Sequence, residues 1–85
     1  MSENLTGKTA LVTGSGRNIG RATAIELGKL GANVVVNSRS NEGEAKSVCE
    51  EIISAGGTAI SVIADVAVEA DISTMFETIE KEFGP

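Results

Sequence analysis

Short runs of β-branched, mostly continuous apolar residues alternate with longer stretches in which apolar residues recur at helical spacing. The runs are Thr9-Ala10-Leu11-Val12, Asn33-Val34-Val35-Val36 and Ala59-Ile60-Ser61-Val62-Ile63. Unbroken apolar character over such short spans marks strands covered on both faces, as in a parallel sheet. Between the second and third runs, Ala45, Val48, Cys49, Ile52 and Ile53 fall on one helical face. After the third, Ile72, Met75, Phe76, Ile79 and Phe83 repeat that spacing with an acidic opposite face. A first helix, over roughly 19 to 30, is less regular, because Glu26 shares a stripe with Ile19 and Leu30.

The boundaries agree with this reading. Asn41 followed by Glu44 is a capping-box variant opening the second helix. Gly31, Gly56-Gly57 and Gly84 stand where the helices should stop, positions that call for a left-handed residue. Val68 at the start of the third helix cannot cap, although Glu69 and Asp71 suit the helix dipole there. The predicted order is β-α-β-α-β-α, an α/β fold with right-handed crossovers. In a doubly wound sheet the strands lie 3-2-1 and the third helix crosses to the other face, toward a fourth strand. Without that strand the first is an uncovered apolar edge, so the expectation is an incomplete domain.

Composition narrows the chemistry. The chain of 85 residues has Phe76 and Phe83 as its only aromatics, one cysteine, Cys49, and no histidine. An internal disulfide and a cysteine-based zinc cage are excluded, and the commonest metal ligand and general base is missing. No metal site is expected, and Cys49 on its apolar stripe reads as core. No apolar run approaches the ~18 residues of a membrane span, and MSENLTGK lacks the parts of a signal peptide. A reducing, cytoplasmic setting fits. The net charge of −5 divides unevenly, with residues 1–40 at +3 and residues 41–85 at −8. Nucleic acid and anionic membranes are poor partners for such a chain. The acidic half reads as solvated helix faces.

The stretch TGSGRNIGRATA, residues 13–24, lies where the first strand gives way to the first helix. A helix start offers unpaired N–H groups and the positive end of its dipole, so a phosphate fits if no side chain blocks the approach. Gly14 lets the chain turn sharply, Gly20 allows close packing, and Gly16 and Asn18 can adopt φ > 0. The spacing departs from G-x-G-x-x-G and from the G-x-x-x-x-G-K-[ST] loop, both of which need glycine where Ile19 stands. A tight strand–helix turn with no ligand is the plain alternative.

Arg39 lies just beyond the second strand. An acidic residue there would bond a free ribose 2′-OH, whereas arginine accommodates a 2′-phosphate, and Arg17 can close on the same group. NADP(H) is therefore favoured over NAD(H), against the alternative of a solvated charge at Arg39. Asp65, ending the third strand, is placed to accept from an adenine amino group while Val66 packs on the ring. Alternatively, Asp65 satisfies the N–H groups of its own loop.

Thr13-Gly14-x-x-x-Asn18-Ile19-Gly20 followed by Arg21-Ala22-x-Ala24 resembles the cofactor motif of the short-chain dehydrogenases/reductases, T-G-x-x-x-G-[IL]-G. Asn33 to Ser40, Asp65-Val66 and Lys81-Glu82-Phe83-Gly84-Pro85 match further landmarks, so the resemblance spans essentially the whole chain. Asn18 replaces the middle glycine of the motif, and asparagine is the residue best able to stand in at a left-handed position. The resemblance implies the N-terminal half of a Rossmann domain, with residues 1–85 a partial NAD(P)-binding domain. It places Gly14, Ser15, Arg17, Asn18, Ile19 and Gly20 around the phosphates and ribose. Arg39 and Ser40 fall at the 2′-phosphate, and Asp65 and Val66 at the adenine.

Within the family the likeness is to 3-oxoacyl-[acyl-carrier-protein] reductases, with glucose-dehydrogenase-like sugar or alcohol dehydrogenases as alternatives. The implied activity is NADP(H)-dependent reduction of a small carbonyl substrate, or the reverse, in a homotetramer or homodimer. The family's catalytic Asn, Ser and Tyr-x-x-x-Lys have no counterpart here, and the chain has no tyrosine. On its own it is expected to be inactive. A non-catalytic nucleotide-binding module is the competing reading. A methyltransferase of similar layout is disfavoured by Arg39.

Overall fold

Each apolar run becomes a strand and each periodic stretch a helix. The computed structural model describes residues 5–14 and 18–84. The elements run β1 (Thr9–Val12), α1 (Asn18–Lys29), β2 (Asn33–Ser38), α2 (Glu42–Ser54), β3 (Thr58–Ile63) and α3 (Glu69–Phe83). The strands form a parallel sheet in the order β1-β2-β3, with Thr9 opposite Asn33 and Val36 opposite Ser61.

Side chains alternate across a strand, and β2 shows the result. Val34 and Val36 join Ala24, Ala45, Val48, Cys49 and Ile52 beneath α1 and α2. Val35 points the other way, to Ala64, Met75 and Ile79 beneath α3. All three valines are fully buried. The sheet is doubly wound, and its continuous apolar runs follow from being covered on both faces.

The first two helices end as their glycines predict, while Gly84 after α3 has φ 83° but an extended ψ of 178°. Gly31 (φ 96°) and Gly56 (φ 95°) are left-handed. After α1 the N–H of Gly31 reaches the carbonyl of Gly28 and that of Ala32 the carbonyl of Leu27. After α2 the N–H of Gly56 reaches Ile53 and that of Gly57 reaches Ile52. Both are Schellman closures, and each delivers the chain directly into the next strand. At the start of α2, Asn41 Oδ1 accepts the Glu44 N–H at 3.0 Å, a cap contributing about 1 kcal/mol. Val68 makes no side-chain cap at the start of α3.

Three apolar expectations need correction. Ile19 is 84% exposed and Glu26 is exposed too, so the stripe they share does not face the core. The buried residues of α1 are Ala24 and Gly28, small enough to bring the helix close to α2. A Cβ added at Gly28 would lie 2.7 Å from Ile52 Cγ2, and one at Gly57 would lie 2.8 Å from the same methyl. Glu26 is simply on the solvent side. Ile53 and Phe76, on the apolar faces read for α2 and α3, are about half exposed. A stripe gives a direction, and among the described residues no element packs over these flanks.

Gly28→Ala is expected to destabilise the fold by about 1–3 kcal/mol, the usual cost of overpacking, read as a lower urea midpoint. Burial of Cys49 pushes its thiol pKa up, and the Glu50 carboxylate adds to the effect. At pH 8 the thiol should therefore react slowly with an aromatic disulfide reagent, at a rate that rises sharply when the protein is unfolded.

Candidate functional site

The carboxyl ends of the parallel strands lie side by side, and every described candidate residue gathers there. Thr13-Gly14 follow β1, Arg39-Ser40 follow β2, and Ala64-Asp65-Val66 follow β3. Ser15, Gly16 and Arg17 lie outside the described residues. Asn18, at φ 56°, is the one described non-glycine residue with positive φ. It opens α1 in the left-handed conformation anticipated for it. Gly20 follows half-buried on the first turn.

Gly14 is also left-handed (φ 62°), and among the described residues a Cβ placed on it would meet nothing within 4 Å. Its amide, however, is not bare: the N–H donates to Asn37 Oδ1 at 3.2 Å. Gly14 thus supplies the turn and the open space, while donors for an anion fall to the start of α1. That helix has no acidic residue in its first turn, whereas α2 carries Glu42 and Glu44 there and α3 carries Glu69 and Asp71. The positive end of the α1 dipole is left uncompensated on its own helix.

Asn37 is the residue that sequence reasoning passed over. Falling within the Asn33–Ser40 stretch but given no role of its own there, it is 2% exposed. Its Nδ2 donates to the carbonyls of Val62 at 3.2 Å and Ala64 at 3.1 Å. A polar residue continuing a doubly covered strand has to find partners inside, and that rule is the signal that points to it.

Arg39 and Asp65 meet across the ends of β2 and β3, with Nε 3.2 Å from Oδ2. The arginine side chain is 81% exposed and the aspartate side chain 27%. Asp65 Oδ1 accepts the Ala67 N–H at 2.9 Å, and the Asp65 N–H donates to Asp71 Oδ2 at 2.9 Å. The loop-satisfying alternative is therefore realised for one carboxylate oxygen, and the other holds Arg39. Apart from this pairing at Nε, the Arg39 side chain remains largely exposed. Ser40 is exposed, and Val66 (47%) and Ile19 (84%) present apolar surface at the same end. No cluster suited to a metal ion occurs among the described residues.

The family model for short chain dehydrogenase matches residues 8–85. The chain belongs to the short-chain dehydrogenase family.

Among curated members, it is 52% identical over 80 residues to versicolorin reductase 1 of Dothistroma septosporum, covering 94% of this chain and 30% of that protein. It is 46% identical over 81 residues to hydroxynaphthalene reductase-like protein Arp2 of Metarhizium robertsii, covering 95% and 30%. Among solved structures, the angucycline C-6 ketoreductase LanV with bound NADP superposes with a TM-score of 0.87 at 46% identity, covering 96% of this chain and 32% of LanV. A hydroxysteroid dehydrogenase from Escherichia coli gives 0.91 at 34% identity, covering 95% and 34%. The chain thus spans about a third of the length of these short-chain dehydrogenases.

The left-handed start of α1 can be checked directly. Asn18→Val should cost about 1–2 kcal/mol, the penalty of that conformation for an ordinary residue. Asn18→Gly should be close to neutral in the same denaturation experiment.

Proposed function

We propose that this chain is the cofactor-binding part of an NADP(H)-dependent reductase that converts a carbonyl to an alcohol, or the reverse. The observation carrying the cofactor choice is the arginine at the end of β2. Arg39 presents a guanidinium edge at the position where a ribose-bonding carboxylate would favour NAD(H), and the nearby carboxylate, Asp65, is paired with it. A planar cation of this kind suits a phosphate monoester.

The rest of the mouth fits a dinucleotide. The start of α1 supplies N–H groups for the pyrophosphate. The open space at Gly14 admits it, and exposed Val66 and Ile19 offer apolar cover for the adenine and the neighbouring ribose. Asp65 keeps acceptor capacity for the adenine amino group, since a carboxylate has about four lone-pair sites. Ser15 and Arg17 belong to the same set by their place in the motif. Bound NADPH supplies a hydride, and the residues described here orient it and hold its charge.

Related proteins named as reductases and a ketoreductase solved with NADP support this reading. Their names refer to hydroxynaphthalene, versicolorin and an angucycline, which favours a ketone on a ring system as substrate. Reduction of a 3-oxoacyl thioester on acyl carrier protein is the second reading, resting on the motif resemblance. We place the protein in the cytoplasm as a homotetramer or homodimer, and expect residues 1–85 alone to turn over no substrate.

The test is calorimetric titration of the full-length protein with NADPH and NADH. NADPH should bind about 10–100-fold more tightly, the worth of charge-assisted hydrogen bonds to a phosphate. Arg39→Ala should erase most of that ratio by weakening NADPH alone. Equal affinities in the unsubstituted protein would remove Arg39 from the role given to it.

A further inference from the structure

We propose that Asn37 is a positioning residue for the cofactor, setting the turn at Gly14 against the Ala64–Asp65 wall; this rests on the nucleotide reading above. In sequence, the ladder between β1 and β2 ends at the Val12–Val36 pair. One residue further along β2, the Asn37 side chain takes over where main-chain pairing has stopped. Its Oδ1 accepts from Gly14, beyond the end of β1. Its Nδ2 donates to Val62, in β3, and to Ala64, just past it. A single primary amide therefore joins the ends of all strands of this sheet directly beneath the mouth.

The chemistry of the partners fixes the orientation of that amide. An N–H cannot accept and a carbonyl cannot donate, so oxygen faces Gly14 and nitrogen faces β3. At 2% exposure the group works in a medium where an unpaired polar atom is costly, so the connection has little slack. The Gly14 turn borders the space for the pyrophosphate, and Asp65 follows Ala64 at the adenine position. Asn37 touches neither group of the ligand. It sets the distance between the two walls that hold them, so that both can engage one bound dinucleotide at once.

Aspartate is the near-isosteric change that breaks this arrangement. An ionised carboxylate keeps the acceptor for Gly14 but turns its second oxygen toward two carbonyls with no proton to share. Serine is the gentler change, retaining one hydroxyl and adding no charge. The experiment titrates the full-length protein and its Asn37→Asp and Asn37→Ser variants with NADPH and with NADH, reading dissociation constant and number of sites per chain.

The expected result is a rise of at least tenfold in Kd for both cofactors by the same factor, with about one site per folded chain retained. That pattern differs from the change in NADPH-to-NADH ratio expected at Arg39. A merely structural role would instead lower the number of sites and leave Kd unaltered, which overturns the proposal. An unchanged Kd in either folded variant also overturns it, as does failure of both variants to fold, which assigns Asn37 to folding. If the unsubstituted protein binds neither cofactor, the nucleotide reading itself fails, and the proposal with it.

Discussion

Where parallel strands stop, their last backbone groups lose their neighbours before the chain has reached solvent. The carboxyl end of this sheet depends on how those groups are satisfied. A helix or loop laid across the strand ends would pair them and close the mouth. Instead, the Asn37 amide, projecting from the central strand, pairs with Gly14 on one side and with Val62 and Ala64 on the other.

The rest of the fold brings that end into register. Both helices on one face finish in the same Schellman closure, with Gly31 and Gly56 left-handed. Strands β2 and β3 therefore begin in equivalent geometry after equivalent crossovers. The cap at Asn41 shares in this: its side chain serves Glu44, while its N–H donates to Ser38 Oγ at 3.1 Å. The end of β2, the loop bearing Arg39 and the first turn of α2 are joined by these bonds. The polarity of the helix starts follows the same division of labour. Where α2 and α3 carry their own carboxylates in the first turn, α1 carries none, and the uncompensated dipole lies at the mouth.

The sequence was informative wherever a pattern and its physical cause were both local. Continuous apolar runs marked strands in a doubly covered sheet, and the glycines marked helix ends because few other residues accept φ near +90°. Asn18 was legible for the same reason. The stripe on α1 misled because hydrophobicity stood in for size: its contact face is Ala24 and Gly28, which weigh little on an apolar scale and matter by what they omit. Ile53 and Phe76 had the correct spacing, but a helix face is buried only where something meets it. The Arg39–Asp65 ion pair and the bonds of Asn37 join residues 23 to 27 positions apart, and no local rule brings them together. Of the alternatives for Asp65, the loop-satisfying one is realised at Oδ1, while Oδ2 pairs with Arg39, a partner its place in the sequence did not suggest.

The methyl group of Ile52 fills a notch whose walls are Gly28 on α1 and Gly57 at the entrance to β3. A helix, its neighbouring helix and the following strand are thus fitted around one branched carbon. Room in that notch is a shared quantity, so positions 28, 52 and 57 cannot drift independently. A bulkier residue at either glycine is compatible with this backbone only beside a slimmer one at 52, and related chains should show these three sites changing together.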